Sequence, residues 1–156
     1  MLTLLLLATC LGAALVGGVF FAFSSFVMKA LSQLPAAMGV ATMQRINVVV
    51  INPWFLGAFL GTALLAAACV VAAVWIRAEP RAPWVLAAGL CYLLGTFGLT
   101  MVLHVPRNQR LAQFDAASPQ AAAHWPIYLH EWTRWNHVRT AAALVAAGCA
   151  LWAQMP

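Results

Sequence analysis

The chain has 156 residues, of which 65% are hydrophobic and only 7% charged, with a formal net charge of +5; a typical soluble domain is about 25% charged. So few charges cannot solvate a domain of this size in water, which points to lipid as the solvent. The basic residues sit near the ends of apolar runs rather than in a stripe with interleaved aromatics, so the excess charge marks membrane topology and not nucleic-acid binding.

Residues 1–28, 46–76, 82–106 and 140–156 contain no Lys, Arg, Asp or Glu. A hydrocarbon core needs roughly 20 apolar residues of helix. The first three runs meet that length, and the fourth does so if its helix starts upstream and carries polar residues in its first turns. The expected fold is therefore an all-α membrane protein, a four-transmembrane-helix up-down bundle formed by residues 1–156 as one domain. Long runs without alternation, such as 64–76, argue against a barrel.

Helix one is expected from about Leu2 to Met28, with Gly17-Gly18 for close packing and a cluster of Phe20, Phe21, Phe23 and Phe26 near Ser24-Ser25. The N-terminus lacks a basic segment and its apolar run is too long for a secretory signal, so it reads as a retained span. After Pro35, residues 36–51 predict a short helix at the membrane boundary, with Met43, Ile46 and Val50 on one stripe and Gln44 and Asn47 on another. Asn52-Pro53 suits the N-cap and first position of helix two, which runs to about Ile76 and contains a Gly57-x-x-x-Gly61 pattern. Pro80 and Pro83 then set a tight reversal into helix three, expected over Trp84–Val105 and ended or kinked at Pro106. Residues 107–127 read as a polar connection, and helix four as beginning near Tyr128. Cys10, Cys69, Cys91 and Cys149 are isolated in separate apolar runs and read as small packing residues.

Six of the eight Lys and Arg residues fall between helices one and two or from the end of helix three into helix four. The positive-inside rule then makes the 1–2 and 3–4 connections cytoplasmic, in a multi-pass protein of the cell inner membrane. An up-down path brings Ser24, Gln44, Asn47, His104, Asn108 and the polar start of helix four to that same membrane face. Intramembrane polar groups are costly and usually line a cavity or pair with one another. On a helical wheel, Trp132, Trp135, Asn136 and Arg139 gather on one face of helix four, and His130, Arg134 and His137 on the opposite one. The first face is expected to line a pocket, with Gln44, Asn47, Asn108, Asn136 and Arg139 converging on one enclosed cavity. His104 and His137 could alternatively ligate haem or, with His130, a metal, although no HxxxH or ExxH spacing supports this.

The runs Phe23-Ser-Ser-Phe-Val-Met-Lys-Ala-Leu, Met43-Gln-Arg-Ile-Asn47, Asn52-Pro-Trp-Phe, Val105-Pro-Arg-Asn108 and Trp132-Thr-Arg-Trp-Asn-His-Val-Arg139-Thr together resemble the DUF1772 or anthrone oxygenase-like family of small four-helix membrane proteins. Characterised members are similar to anthrone oxidases, which convert a polyketide anthrone to an anthraquinone with molecular oxygen and no obvious added cofactor. The resemblance implies a site role, for substrate binding, of Gln44, Asn47, Asn108, Trp135 and Asn136, and Trp132, on the same face of helix four, would add an aromatic wall to that substrate-binding set. The chemistry of such an activity would have Arg139, with the amide donors, hold an enolate and His137 or His104 act as base, although the family motif does not extend to His104. Molecular oxygen would be co-substrate, with no resident metal. The partners expected are a small hydrophobic aromatic and the bilayer, not nucleic acid, with homo-oligomerisation left open. The competing reading is a non-enzymatic small membrane subunit or ligand-binding module whose polar face satisfies itself.

Overall fold

In a computed structural model describing residues 1–155, five helices and no strand are present among the described residues. They are α1 (Leu2–Ser32), α2 (Ala36–Val49), α3 (Pro53–Trp75), α4 (Ala82–Ala112) and α5 (Pro119–Trp152). Three of them, α1, α3 and α4, are long and apolar enough to cross a membrane. Their outward faces carry exposed Leu4, Leu11, Leu15, Leu64, Val71 and Leu94, which suits hydrocarbon and would be unfavourable in water. In α5 the stretch holding Glu131, Arg134 and Arg139 dilutes the apolar run, so this helix does not join the three.

Local chemistry explains most of the helix boundaries. Asn52 caps α3 as expected, its Oδ1 accepting from the backbone N–H groups of Trp54 and Phe55 at 3.1 and 3.0 Å, with Pro53 at the first position where no intrahelical donor is lost. The short 36–51 helix is present as α2. The start of the last helix corrects the expectation. It begins at Pro119, not near Tyr128, because Ser118-Pro119 repeats the cap-plus-proline device: Ser118 Oγ accepts from the Ala121 N–H at 3.2 Å. Pro126 is carried inside that helix. The third apolar helix also runs past its expected end, through Pro106 to Ala112. There Arg107 Nη1 donates to Leu103 O at 2.8 Å, restoring a hydrogen bond in the turn that proline disturbs. The expected connection 107–127 thus shrinks to Gln113–Ser118, and α1 is a turn longer than predicted.

The core has three layers. At one end Leu6 of α1, Cys69 and Ala73 of α3, Val85 and Ala88 of α4, and Ala150 of α5 pack together. The middle layer joins Val16 and Phe20, Phe59 and Ala63, Tyr92, and Ala146. At the other end α3 contributes nothing: its place is taken by Val40 and Met43 of α2, against Met28, Leu111, Trp125 and Trp132. Helix α2 therefore closes the end of the molecule where α3 begins. Gly39 allows it to sit there, since a Cβ at that position would lie 2.9 Å from the Trp125 indole. Lower down, Gly89 lets α4 approach α3, where a Cβ would come within 2.6 Å of Ala66 O.

Candidate functional site

Beneath the α2 cap, the buried side chain of Arg139 lies between aromatic rings, its Cζ 3.8 Å from the Phe20 centroid and 4.9 Å from that of Trp132. Its Nε donates to Asn136 Oδ1 at 2.8 Å and its Nη1 to Thr100 Oγ1 at 3.2 Å. Asn136 is fully buried, and its Nδ2 donates to Phe20 O and Ser24 Oγ, both at 2.7 Å. Thr96 Oγ1 donates to the Arg139 carbonyl at 3.2 Å. All these partners are neutral. The two ion pairs among the described residues, Arg81–Glu79 and Arg107–Glu131, leave Arg139 without a carboxylate. A guanidinium is effectively always charged, and an unpaired buried charge carries a desolvation cost of several kcal/mol, which stacking over aromatic faces offsets only in part.

His104 packs on the same tryptophan. It is 1% exposed, its ring lies edge-on to Trp132 at 5.0 Å between centroids, and neither of its nitrogens has a hydrogen-bond partner. A neutral imidazole offers one acceptor and one donor. The cluster thus combines a cation lacking a counter-ion with a histidine free at both nitrogens.

The backbone explains how four polar residues of α4 reach one side. Thr96, Thr100, His104 and Asn108 are spaced by four, and in an ideal α-helix such a row drifts by about 40° per step. Helix α4 is π-helical over Cys91–Gly98 and Thr100–His104. The wider π turns, closed by i→i+5 bonds, take back that drift and keep the row facing α5. Ser24 likewise lies in a π-helical stretch of α1, Phe23–Val27. Such bulges occur frequently at functional sites.

The remaining candidates sit elsewhere, and the expected convergence on one enclosed cavity is not what the structure has. Gln44 Nε2 donates to Leu111 O and Phe114 O, both at 2.9 Å, tying α2 to the end of α4. Its amide is a structural clamp, bridging the last turn of α4 and the first residues of the connection that follows. Asn108 Oδ1 is occupied by Tyr128 Oη and Trp132 Nε1 at 2.8 and 3.2 Å. Asn47 Nδ2 is buried without a partner. Trp135 is half-buried, with the Arg134 Cζ 5.8 Å from its centroid. His137 is exposed together with His130 and Arg134, on the outer side of α5. It therefore does not join the buried cluster, nor does it pair with the buried His104 in the manner of haem ligands. Among the described residues no group of three or more His, Cys, Asp or Glu side chains could hold a metal ion. Thr96, Thr100 and Tyr128 were missed as site residues. The two threonines, four apart in an otherwise apolar run, were the available signal.

A family model described as anthrone oxygenase matches residues 51–149, a span that includes His104, Asn108, Trp132, Asn136 and Arg139. The chain belongs to the anthrone oxygenase family. No curated protein and no solved structure matches it. The matched span begins just before the Asn52-Pro53 cap and includes most of the anthrone oxygenase-family residues that build the polar cluster; Phe20 and Ser24 of α1 lie outside it.

Proposed function

We propose that this chain is a membrane-embedded oxygenase, independent of a resident cofactor, that oxidises an enolisable anthrone-like polycycle with molecular oxygen. The observation that carries this reading is the buried Arg139 guanidinium without a carboxylate, beside a histidine with two unpaired nitrogens. An anthrone has an acidic CH₂ beside its aromatic rings and a carbonyl across the ring. His104 takes one of those protons, and the charge moves onto the carbonyl oxygen, where Arg139 stabilises it. The electron-rich carbon gives up two electrons, one at a time, to oxygen and bonds to it; protonation, by the imidazolium, yields a hydroperoxide. Loss of the second C–H proton with the O–O bond breaking forms the new carbonyl and water. The balance is CH₂ plus O₂ to C=O plus H₂O. Phe20 and Trp132 supply flat apolar walls, and partition into lipid would bring such a substrate to the protein.

The same reading makes the apolar half of α5 a fourth span in an up-down bundle, since Ala146 and Ala150 share the core layers of the three apolar helices. It places the cap and the α4–α5 connection on the cytoplasmic side of an inner membrane, from the distribution of basic residues. Oxygen uptake and quinone absorbance, measured with emodin anthrone in nanodiscs without flavin or nicotinamide, test the activity. The expected result is a rate well above spontaneous oxidation. A rate equal to the protein-free background would refute it and favour a non-enzymatic binding module.

A further inference from the structure

Trp132 is the residue that touches both halves of the cluster, with the Arg139 guanidinium over its ring and the His104 ring T-shaped to it. Phe23 packs on the same ring at 5.5 Å between centroids. An indole has one polar atom, which can only donate. That atom, Nε1, donates to Asn108 Oδ1 at 3.2 Å, and Tyr128 Oη donates to the same oxygen at 2.8 Å. The orientation of the Asn108 amide follows directly, because its NH₂ group could not serve the indole. Asn108 lies one turn beyond His104 on α4, while Tyr128 and Trp132 lie one turn apart on α5. One carbonyl oxygen therefore joins the element carrying His104 to the element carrying Arg139, through the ring that both groups touch.

We propose that Asn108 is a positioning residue: by accepting from Trp132 and Tyr128 together, it fixes the Trp132 indole on which both Arg139 and His104 pack, and so sets the geometry at which proton removal and charge stabilisation act in concert. This role rests on the oxygenase reading above and deepens it. It replaces the direct substrate contact expected of Asn108, whose amide oxygen already has two donors. Phe23 also packs on the indole, but a ring contact is weakly directional, whereas a hydrogen bond at Nε1 constrains both distance and angle.

The test combines kinetics with a signal independent of turnover. Asn108→Leu removes the acceptor at similar size, Asn108→Asp keeps it, and Trp132→Phe removes the donor. Asn108→Leu and Trp132→Phe should each lower kcat on emodin anthrone by about 10–100-fold, the scale of a misplaced catalytic geometry; KM should change little in Asn108→Leu, whereas Trp132→Phe also trims a substrate wall and is read on kcat alone. The double variant should be no worse than either single one, since both break one interaction. Asn108→Asp should retain most of kcat. In ¹H–¹⁵N spectra of the full chain, the Trp132 indole resonance, identified by its loss in Trp132→Phe, should shift in Asn108→Leu and hold in Asn108→Asp. Additive losses in the double variant, or a raised KM with kcat intact, would overturn the proposal. If Asn108→Leu does not fold, Trp132→Phe decides: a parental kcat there overturns it equally. A parent without oxygen uptake overturns the catalytic role along with the oxygenase reading, and the indole shift still reports separately whether the Asn108 tether exists.

Discussion

Replacing Arg139 with leucine separates the chemistry of the cluster from its contribution to folding. The substitution deletes the Nε bond to Asn136 and the Nη1 bond to Thr100. Thr100 Oγ1 still donates to Thr96 O at 2.7 Å, so only Asn136 Oδ1 is left without its partner, at a cost of about 1–3 kcal/mol. Against this, a cation with no carboxylate is removed from the interior, which relieves a desolvation penalty of several kcal/mol. The two terms are opposed and of similar size, so Tm should stay close to the parent value. Activity should not. Loss of one preorganised charge-stabilising donor costs about 10²–10³ in kcat, or about 2.7–4 kcal/mol of transition-state stabilisation. Quinone formation from emodin anthrone, followed in parallel with thermal unfolding in the same nanodiscs, reads both quantities. Arg139→Lys should restore only part of the rate, because an ammonium keeps the charge but not the fork that engages Asn136 and Thr100 together. A leucine variant that folds normally and turns over at the parental rate would refute the role assigned to the guanidinium. A collapse of Tm would instead show that Arg139 chiefly holds the helices together.

Other expectations follow from individual contacts. His104→Ala should lower kcat on emodin anthrone by about 10²–10⁴-fold, the scale of a lost general base, whereas replacing the exposed His137 with alanine should keep the parental rate; the reverse pattern in quinone-formation assays would make His137 the base. Gln44→Ala removes two bonds that hold α2 to the end of α4, so it should lower stability by about 1–3 kcal/mol and raise protease cleavage between α1 and α3 before global unfolding. Gly89→Ala forces a Cβ toward Ala66 O and should destabilise by about 1–3 kcal/mol through overpacking, whereas Gly57→Ala meets nothing within 4 Å and should leave Tm unchanged.

The sequence by itself determined the solvent, the helical class and the inward face of the last helix. Uncharged runs long enough to cross hydrocarbon can satisfy their backbone groups only within each segment, so no distant contact is needed to read them. The Asn52-Pro53 cap was legible for the same local reason. The alternation of Trp132, Asn136 and Arg139 with His130, Arg134 and His137 followed from helical phase alone, and their burial accords with it. Tertiary structure decided what those residues touch. Gln44, Asn47 and Asn108 share one end of the molecule with Arg139, yet their amides serve different partners, since hydrogen-bond choice depends on ångström-scale placement that spacing does not encode. The Thr96, Thr100, His104 and Asn108 row was hidden because an ideal α wheel spreads it over about 120°. Only the π-helical turns of α4 bring that row to one side, where its members meet Arg139, Trp132 and Tyr128 of α5.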